Sequence, residues 1–302
     1  MSAASSRRKP PRVGDAPAIR RTLIGFVLLT GAFLVLAPLL VIFQQAFSFG
    51  FAHFRDTITH PDTRHAIWLT VLTALIAVPI NTAFGVAAAW SVTKFDFWGK
   101  RLLIIVIEIP FSISPIVAGV AYLFVYGLQG LFGPTLQSAG VQVLFALPGI
   151  VLASMFVTAP FVARELIPLM QAQGRDLEEA ATSLGASGWR TFFSVTLPNI
   201  RWALLYGVVL CNARVMGEFG AVSVVSGKIR GQTNTLPLQV ELLFNDFRRS
   251  AAASAFAAAS ILTGLALVTI VAKVFLERRG AGRRNQRPAL AAPVVAAKDP
   301  TA

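Results

Sequence analysis

The sequence predicts an all-α protein that crosses a membrane several times. Only 14% of the residues are charged and 55% are hydrophobic, whereas soluble domains carry roughly 25% charged residues. Apolar runs of about 20 residues, long enough to cross a hydrocarbon core, recur along the chain. Because these runs are continuous and do not alternate with polar residues, they favour helices over strands.

Six apolar runs qualify as membrane spans, and a basic N-terminal tail (residues 1–21) precedes the first of them. The first run is longer than the apolar core of a signal peptide, about 7–15 residues, and lacks a clear cleavage site. We therefore interpret it as an uncleaved helix. The predicted transmembrane domain, residues 22–276, contains the spans 22–47, 67–93, 102–126, 143–163, 202–225 and 252–276.

Lys and Arg residues indicate the orientation of these spans. Most of the 27 basic residues fall on one side: in the N-terminal tail, in 94–101, in a central loop (residues 164–201) and in the C-terminal tail. By the positive-inside rule, both termini face the cytoplasm. The same rule explains the net charge of +13 without nucleic acid as a partner. The outer segment 226–251 departs from it with four basic residues, which suggests that it contacts something acidic or dips into the protein.

The two tails and the few metal-ligating residues predict little chemistry. The C-terminal tail, 277–302, mixes Arg, Pro and Ala and is predicted to be disordered beside the inner leaflet. The one cysteine, Cys211, lies inside an apolar run, which excludes an intrachain disulfide. The three histidines share the first outer loop and fit solvated loop residues better than metal ligands, so no metal site is predicted.

The central loop is predicted to form a helix–turn–helix. Asp176, Glu178 and Glu179 suit the positive end of a helix over Leu177 to Leu184, and Gly185 fits the left-handed position after it. Ser187 is a suitable N-cap for a second short helix, which Pro198 would end or kink. Such a hairpin could dock on a partner protein or rest on lipid headgroups, and the residues alone leave both open.

The fifth span carries charge inside the membrane. Arg214 and Glu218 are four residues apart, so they can pair on one helix face. Charged residues within a bilayer face protein or a water-filled cavity. The small and polar stripe around this pair is therefore predicted to face the bundle interior: Gly207, Cys211, Arg214, Glu218 and Ala221. The pair either fixes helix packing or places a cation along an anion pathway.

Glu108 is the other acid within a span. It precedes Pro110 and Pro115, where the third span is predicted to be broken. Its carboxylate could pair with a basic group or face water, and it is the third candidate for the translocation pathway.

The central loop resembles a known motif. Glu179-Ala180-Ala181, Gly185 four residues after Ala181, and Leu197-Pro198 follow the spacing of the "EAA" loop in bacterial ABC importer permeases. The chain departs from that pattern only at Val195, where Ile is usual. The resemblance implies a type I permease fold with six transmembrane helices and a cytoplasmic coupling helix. It also implies that this helix inserts into an ATP-binding subunit through Glu179, Ala180, Ala181, Gly185, Leu197 and Pro198.

Further segments resemble the sulfate/thiosulfate permeases, the second or W-type one in particular. They include 69–90, Ile109 to Gly119, Ala213 to Ala221 and Ser223 to Leu238, and the likeness covers residues 25–276. It implies a bacterial inner-membrane subunit that pairs with a second, related permease. The complex would also contain two ATP-binding subunits and a periplasmic sulfate-binding protein.

The chain carries no Gly-x4-Gly-Lys-Ser/Thr phosphate loop. We therefore expect no cofactor bound by this chain, no enzymatic activity of its own, and ATP hydrolysis by partner subunits. Three alternatives stay open: a molybdate or tungstate permease working as a homodimer, an ATP-independent secondary anion transporter, and a membrane enzyme. The absence of inverted repeats disfavours the second, and the lack of a convergent nucleophile–base set disfavours the third.

Overall fold

The computed structural model describes the backbone of residues 17–284 and the side chains of residues 20–275. The predictions for residues 1–16 and 285–302 lie outside this range. Within it, every regular element is helical. The helices are α1 (Pro17–Ala46), α2 (Gly50–Thr59), α3 (Pro61–Lys94), α4 (Lys100–Ser112), α5 (Pro115–Tyr126), α6 (Gly133–Ser138), α7 (Leu147–Thr158), α8 (Pro160–Gln173), α9 (Asp176–Ser183), α10 (Gly188–Thr191), a π-helical turn (Phe192–Thr196), α11 (Leu197–Met216), α12 (Gly220–Val225), α13 (Leu236–Phe244) and α14 (Ala251–Arg284).

Five helical stretches are long and apolar enough to cross a membrane, and there are six if one bent pair of helices is counted as a single span. Each overlaps one of the predicted spans. Several helices run past their apolar segments, since a helix need not end where the bilayer does. As a result α8 takes up the first ten residues of the central loop, and α14 continues through 277–284, which were predicted to belong to a disordered tail.

The third predicted span is two helices and not one. The axes of α4 and α5 differ by 110°. Ile113 and Ser114 between them have extended backbone, with ψ angles of 132° and 133°. The cause is Pro115, which lacks an N–H group and disfavours helical geometry at the residue before it. The break predicted at this proline is therefore confirmed.

The fifth predicted span, 202–225, is also interrupted, because α11 ends at Met216 and α12 begins at Gly220. The two interrupted spans pack on each other. A Cβ atom added to Gly119 of α5 would lie 2.8 Å from the carbonyl oxygen of Ala221, and one on Gly220 would lie 2.8 Å from Cβ of Pro115. Glycine is required at both positions for this close approach.

The core of the bundle lies where α3, α8 and α11 meet. Val162 of α8 lies between two glycines. A Cβ atom added to Gly85 would lie 2.6 Å from the Cβ of Val162, and one added to Gly207 would lie 3.2 Å from the Cα of Val162. Small residues at helix contacts let the backbones approach closely in a membrane. By contrast, α1 packs mainly on α14, and apolar side chains are exposed along most of this helix.

Candidate functional site

The central loop contains a helix with an acidic first turn and a well-defined end. Helix α9 carries Asp176, Glu178 and Glu179 in its first turn. Gly185 follows with φ of +85°, its N–H donates to the carbonyl of Thr182 at 2.9 Å, and the N–H of Ala186 donates to Ala181 at 3.0 Å. These two bonds form a Schellman motif, so the prediction that Gly185 ends this helix is confirmed.

The second half of the central loop runs directly into a membrane helix. The hydroxyl of Ser187 accepts a hydrogen bond from the N–H of Arg190 at 3.4 Å and caps α10, as predicted. Pro198, however, neither ends nor separates this segment, which continues into α11. Because Pro198 cannot donate to the carbonyl four residues earlier, the turn before it widens into a π-helical turn closed by a bond from Leu197 N–H to Phe192 O.

The predicted docking residues differ in exposure. Glu179, Ala180, Gly185 and Pro198 are exposed, whereas Ala181 and Leu197 are half-buried. The carboxylate of Glu179 takes part in none of the ion pairs among the described residues. Leu184, at the end of α9, exposes 89% of its surface. The helix therefore presents a free acid and an apolar side chain outward.

The aromatic side of the hairpin has a different environment. Trp189 and Phe192 line an apolar groove with Trp90 of α3, and Trp189 stacks on Phe193 with ring centroids 6.1 Å apart. Tryptophan is enriched where a membrane protein meets the bilayer–water boundary. Trp189 of α10 thus fits the interpretation in which the hairpin rests on lipid headgroups.

Sequence reasoning missed a half-buried ion pair behind α9. Lys94 Nζ, at the end of α3, lies 2.9 Å from Glu178 Oε1, and its side chain is only 7% exposed. The same carboxylate oxygen accepts a hydrogen bond from Thr196 at 3.0 Å. Lys94 was interpreted only as one of the basic residues that set orientation, and no sequence signal relates it to the central loop.

The second candidate site is the charged pair at the break of the fifth span. Arg214 Nη1 lies 2.7 Å from Glu218 Oε2, and the exposed fractions of the two side chains are 35% and 1%. The guanidinium and the carboxylate therefore form a close ion pair. The two residues do not share one helix as predicted, because α11 ends at Met216 and Glu218 lies beyond it.

Glu218 has a second contact, which the sequence did not indicate. Its Oε1 atom accepts a hydrogen bond from the N–H of Ala221 at 3.0 Å, so the side chain also caps the first turn of α12. The other members of the predicted stripe, Gly207, Cys211 and Ala221, are buried. The stripe faces the interior, as predicted, while Arg214 keeps a third of its side chain accessible.

The remaining candidate, Glu108, is not brought to this pair. It lies on an exposed face of α4 and is absent from the ion pairs of the described residues, which include that of Arg214. An exposed carboxylate within a span requires water or another subunit beside it.

A bundle of broken and unbroken membrane helices that projects a short acidic helix from one end has the architecture of a transport permease subunit. The match to a family model then identifies the chain more closely. Residues 81–280 match the model for the binding-protein-dependent transport system inner membrane component. The chain belongs to this family of inner-membrane proteins.

Relatives with curated names lie within the same family. The chain is 54% identical over 257 residues to the sulfate transport system permease protein CysW of Escherichia coli strain K12, covering 85% of this chain and 87% of that one. It is 48% identical to the CysW protein of Synechococcus elongatus, covering 87% and 91%. Similarity extends to the CysT permease of Escherichia coli strain K12, at 34% identity over 84% of this chain and 95% of the other. The chain is thus a member of the sulfate permease group.

Solved structures share its fold. A chain of a bacterial alginate ABC transporter, crystallised with an alginate-bound periplasmic protein, superposes with a TM-score of 0.70 at 18% identity, covering 87% of this chain and 96% of that one. At this identity the likeness concerns the fold alone. The predicted fold class, an all-α ABC importer permease, is confirmed.

Proposed function

We propose that the chain forms half of the translocation pathway of an ATP-driven importer of sulfate and thiosulfate. The observation that carries this proposal is the 54% identity to a sulfate permease along 85% of the chain. The exposed α9, with the "EAA" spacing from Glu179 to Pro198, supports an importer driven by separate ATPase subunits. On this proposal the chain itself catalyses no reaction.

The importer contains this chain and a second, related permease. The 34% identity to a CysT permease supports such a pair, because two permeases of common ancestry can form equivalent contacts around one pathway. Two ATP-binding subunits and a periplasmic sulfate-binding protein complete the complex. ATP is bound and hydrolysed by those subunits, and this chain holds no cofactor.

Within this complex, α9 is the part that an ATPase subunit contacts. No residue of α9 is buried in the chain, and Leu184 and Glu179 are directed to the outside. A free acid suits a protein partner better than the inner leaflet, which is anionic. Trp189 of α10 rests at the bilayer boundary instead, so the two alternatives for the hairpin apply to its two different halves.

Uptake into vesicles tests the substrate. Complexes purified with their binding protein and ATP inside the vesicle are expected to import labelled sulfate, and excess thiosulfate should suppress this uptake. Excess molybdate should suppress it weakly. Faster import of molybdate than of sulfate would support the rival oxyanion permease, and import that continues without ATP would support a secondary transporter.

The orientation proposed for the chain places both termini and α9 in the cytoplasm. Gln137 of α6 and Gln173 of α8 lie at exposed positions towards opposite ends of the bundle. A cysteine introduced by Gln137→Cys in a Cys211→Ala background is expected to react with a membrane-impermeant maleimide from the periplasm. One introduced by Gln173→Cys should react only after the membrane is opened. Labelling of position 173 in intact spheroplasts would contradict the orientation.

A further inference from the structure

Glu178 of α9 is held between the ends of two membrane helices. Its Oε1 atom lies 2.9 Å from Lys94 Nζ, in the last turn of α3. It lies 3.0 Å from the hydroxyl of Thr196, in the π-helical turn that leads into α11. Lys94 Nζ also donates to the carbonyl of Gly174, which follows the end of α8. One network of polar contacts therefore joins α9 to α3, α8 and α11.

This network holds α9 against the bundle through polar contacts. No residue of α9 is buried, so apolar packing does little to fix it. The side chains of the ion pair are instead sheltered, with exposed fractions of 7% for Lys94 and 18% for Glu178, and Thr196 is 2% exposed. Loss of one partner from a sheltered pair leaves an uncompensated charge and is strongly destabilising to that arrangement.

We propose that Lys94, Glu178 and Thr196 are positioning residues that transmit the movement of α9 to the membrane helices. This inference rests on the proposed function, in which an ATPase subunit moves α9. A displacement of Glu178 acts on α3 through Lys94 and on α11 through Thr196 at the same time. Helix α11 carries Arg214 in its last turn, so one rigid element connects the network with the candidate pathway.

A second ion pair nearby supplies the matched control. Asp96, two residues after Lys94, pairs with Arg175, the residue before α9, at 3.2 Å. Hydrogen bonds from Lys100 and then Arg175 keep the pKa of Asp96 below its ordinary value, so this carboxylate stays charged near neutral pH. Its side chain is 76% exposed and that of Arg175 is 43% exposed, and exposed pairs contribute little. The Lys94–Glu178 and Asp96–Arg175 pairs both join the end of α3 to the start of α9, but the second pair is much more exposed to solvent.

The experiment measures sulfate imported per ATP hydrolysed by the complete importer in vesicles. Lys94→Met removes the charge and the bonds that Lys94 donates to Glu178 and Gly174. Thr196→Val removes one hydroxyl while keeping the shape of the side chain. Lys94→Arg retains a cation that can reach both acceptors, and Arg175→Gln breaks the exposed pair. We expect Lys94→Met to lower the ratio by about fivefold or more, the lower end of usual coupling strengths. Thr196→Val should lower it less, and Lys94→Arg and Arg175→Gln should retain it.

The ratio separates a positioning role from a merely structural one. A structural role would reduce assembly, and with it uptake and hydrolysis in the same proportion, so that the ratio stayed constant. A wild-type ratio in assembled Lys94→Met or Thr196→Val complexes would overturn the inference and leave the proposed function intact. If wild-type complexes hydrolysed ATP without any response to sulfate, the proposed function itself would fail. Should Lys94→Met not assemble, the milder Thr196→Val decides the question.

Discussion

Gly185→Pro is expected to abolish sulfate uptake while the chain still inserts and binds its partner permease. Gly185 has φ of +85°, which proline cannot adopt, and its N–H bond to Thr182 would be lost with the imide nitrogen. The Schellman end of α9 would therefore open. Because no heavy atom lies within 4 Å of a Cβ at this position, the damage stays in the local backbone and does not reach the bundle core.

The chain offers a matched control for this change. Gly140 ends α6 with φ of +67°. The N–H groups of Gly140 and Val141 donate to Gln137 and Leu136, which is the same motif in a segment distant from α9. Gly140→Pro should retain most uptake, whereas Gly185→Pro should lose it. Equal losses in both variants would show that any broken helix end harms the protein and would contradict a special role for α9.

Glu179→Lys tests the same surface without altering the backbone. The carboxylate has no ion-pair partner among the described residues, so its reversal should cost the isolated chain only its favourable interaction with the helix dipole, about 0.3–1 kcal/mol. Like charges brought together at an interface cost several kcal/mol, and about 1.4 kcal/mol corresponds to a tenfold change in affinity. We expect the ATPase subunits to dissociate during purification and uptake to fall more than about tenfold. A Glu179→Lys complex that kept its ATPase and its uptake rate would refute the docking role.

Local signals in the sequence were sufficient where short-range physics determines the structure. Continuous apolar runs located the spans because their length has to match the bilayer. Pro115 indicated the break between α4 and α5, and Gly185 and Ser187 indicated both ends of the hairpin turn. Each of these residues acts on backbone within four positions of itself, which is why a single sequence reveals it.

Contacts between distant segments were not accessible in this way. Lys94 and Glu178 pair although they are far apart in sequence. Nothing in their own neighbourhoods distinguishes them from other basic and acidic residues near a membrane boundary. The course of the fifth span also differed from its apolar pattern. The helix stops at Met216, so the spacing of Arg214 and Glu218 suggested a shared helix that the backbone does not continue. Pro198, in turn, is accommodated by a π-helical turn, an adjustment that hydropathy cannot indicate.

Arg214→Ala is expected to reduce sulfate uptake severely. Sulfate carries two negative charges and loses hydration in a narrow pathway, and a fixed cation in a medium of low dielectric constant offsets part of that loss. Arg214 can supply this cation, because a third of its side chain is accessible. Glu218 competes with sulfate for Arg214 and so weakens the binding of the anion, which can then leave the pathway.

Arg214→Lys distinguishes charge from shape in this role. The lysine keeps the charge but loses the planar set of donors that matches an oxyanion. We expect a rate of sulfate uptake between the rate of the wild type and that of Arg214→Ala. Lys228→Ala serves as the control, since Lys228 forms an ion pair of the same 2.7 Å length with Glu241 in a more exposed position, and its loss should matter little.

A double variant separates the pathway role from a packing role. Buried pairs that only hold helices together can often be replaced by uncharged side chains without loss. Arg214→Met with Glu218→Gln removes both charges, and the glutamine oxygen can still accept the N–H of Ala221 that caps α12. If the pair only supports packing, this variant should assemble and import sulfate like the wild type, and Arg214 would then have no part in the pathway. If Arg214 binds the anion, the variant should assemble normally and still fail in uptake of labelled sulfate, because no cation remains to replace the lost hydration.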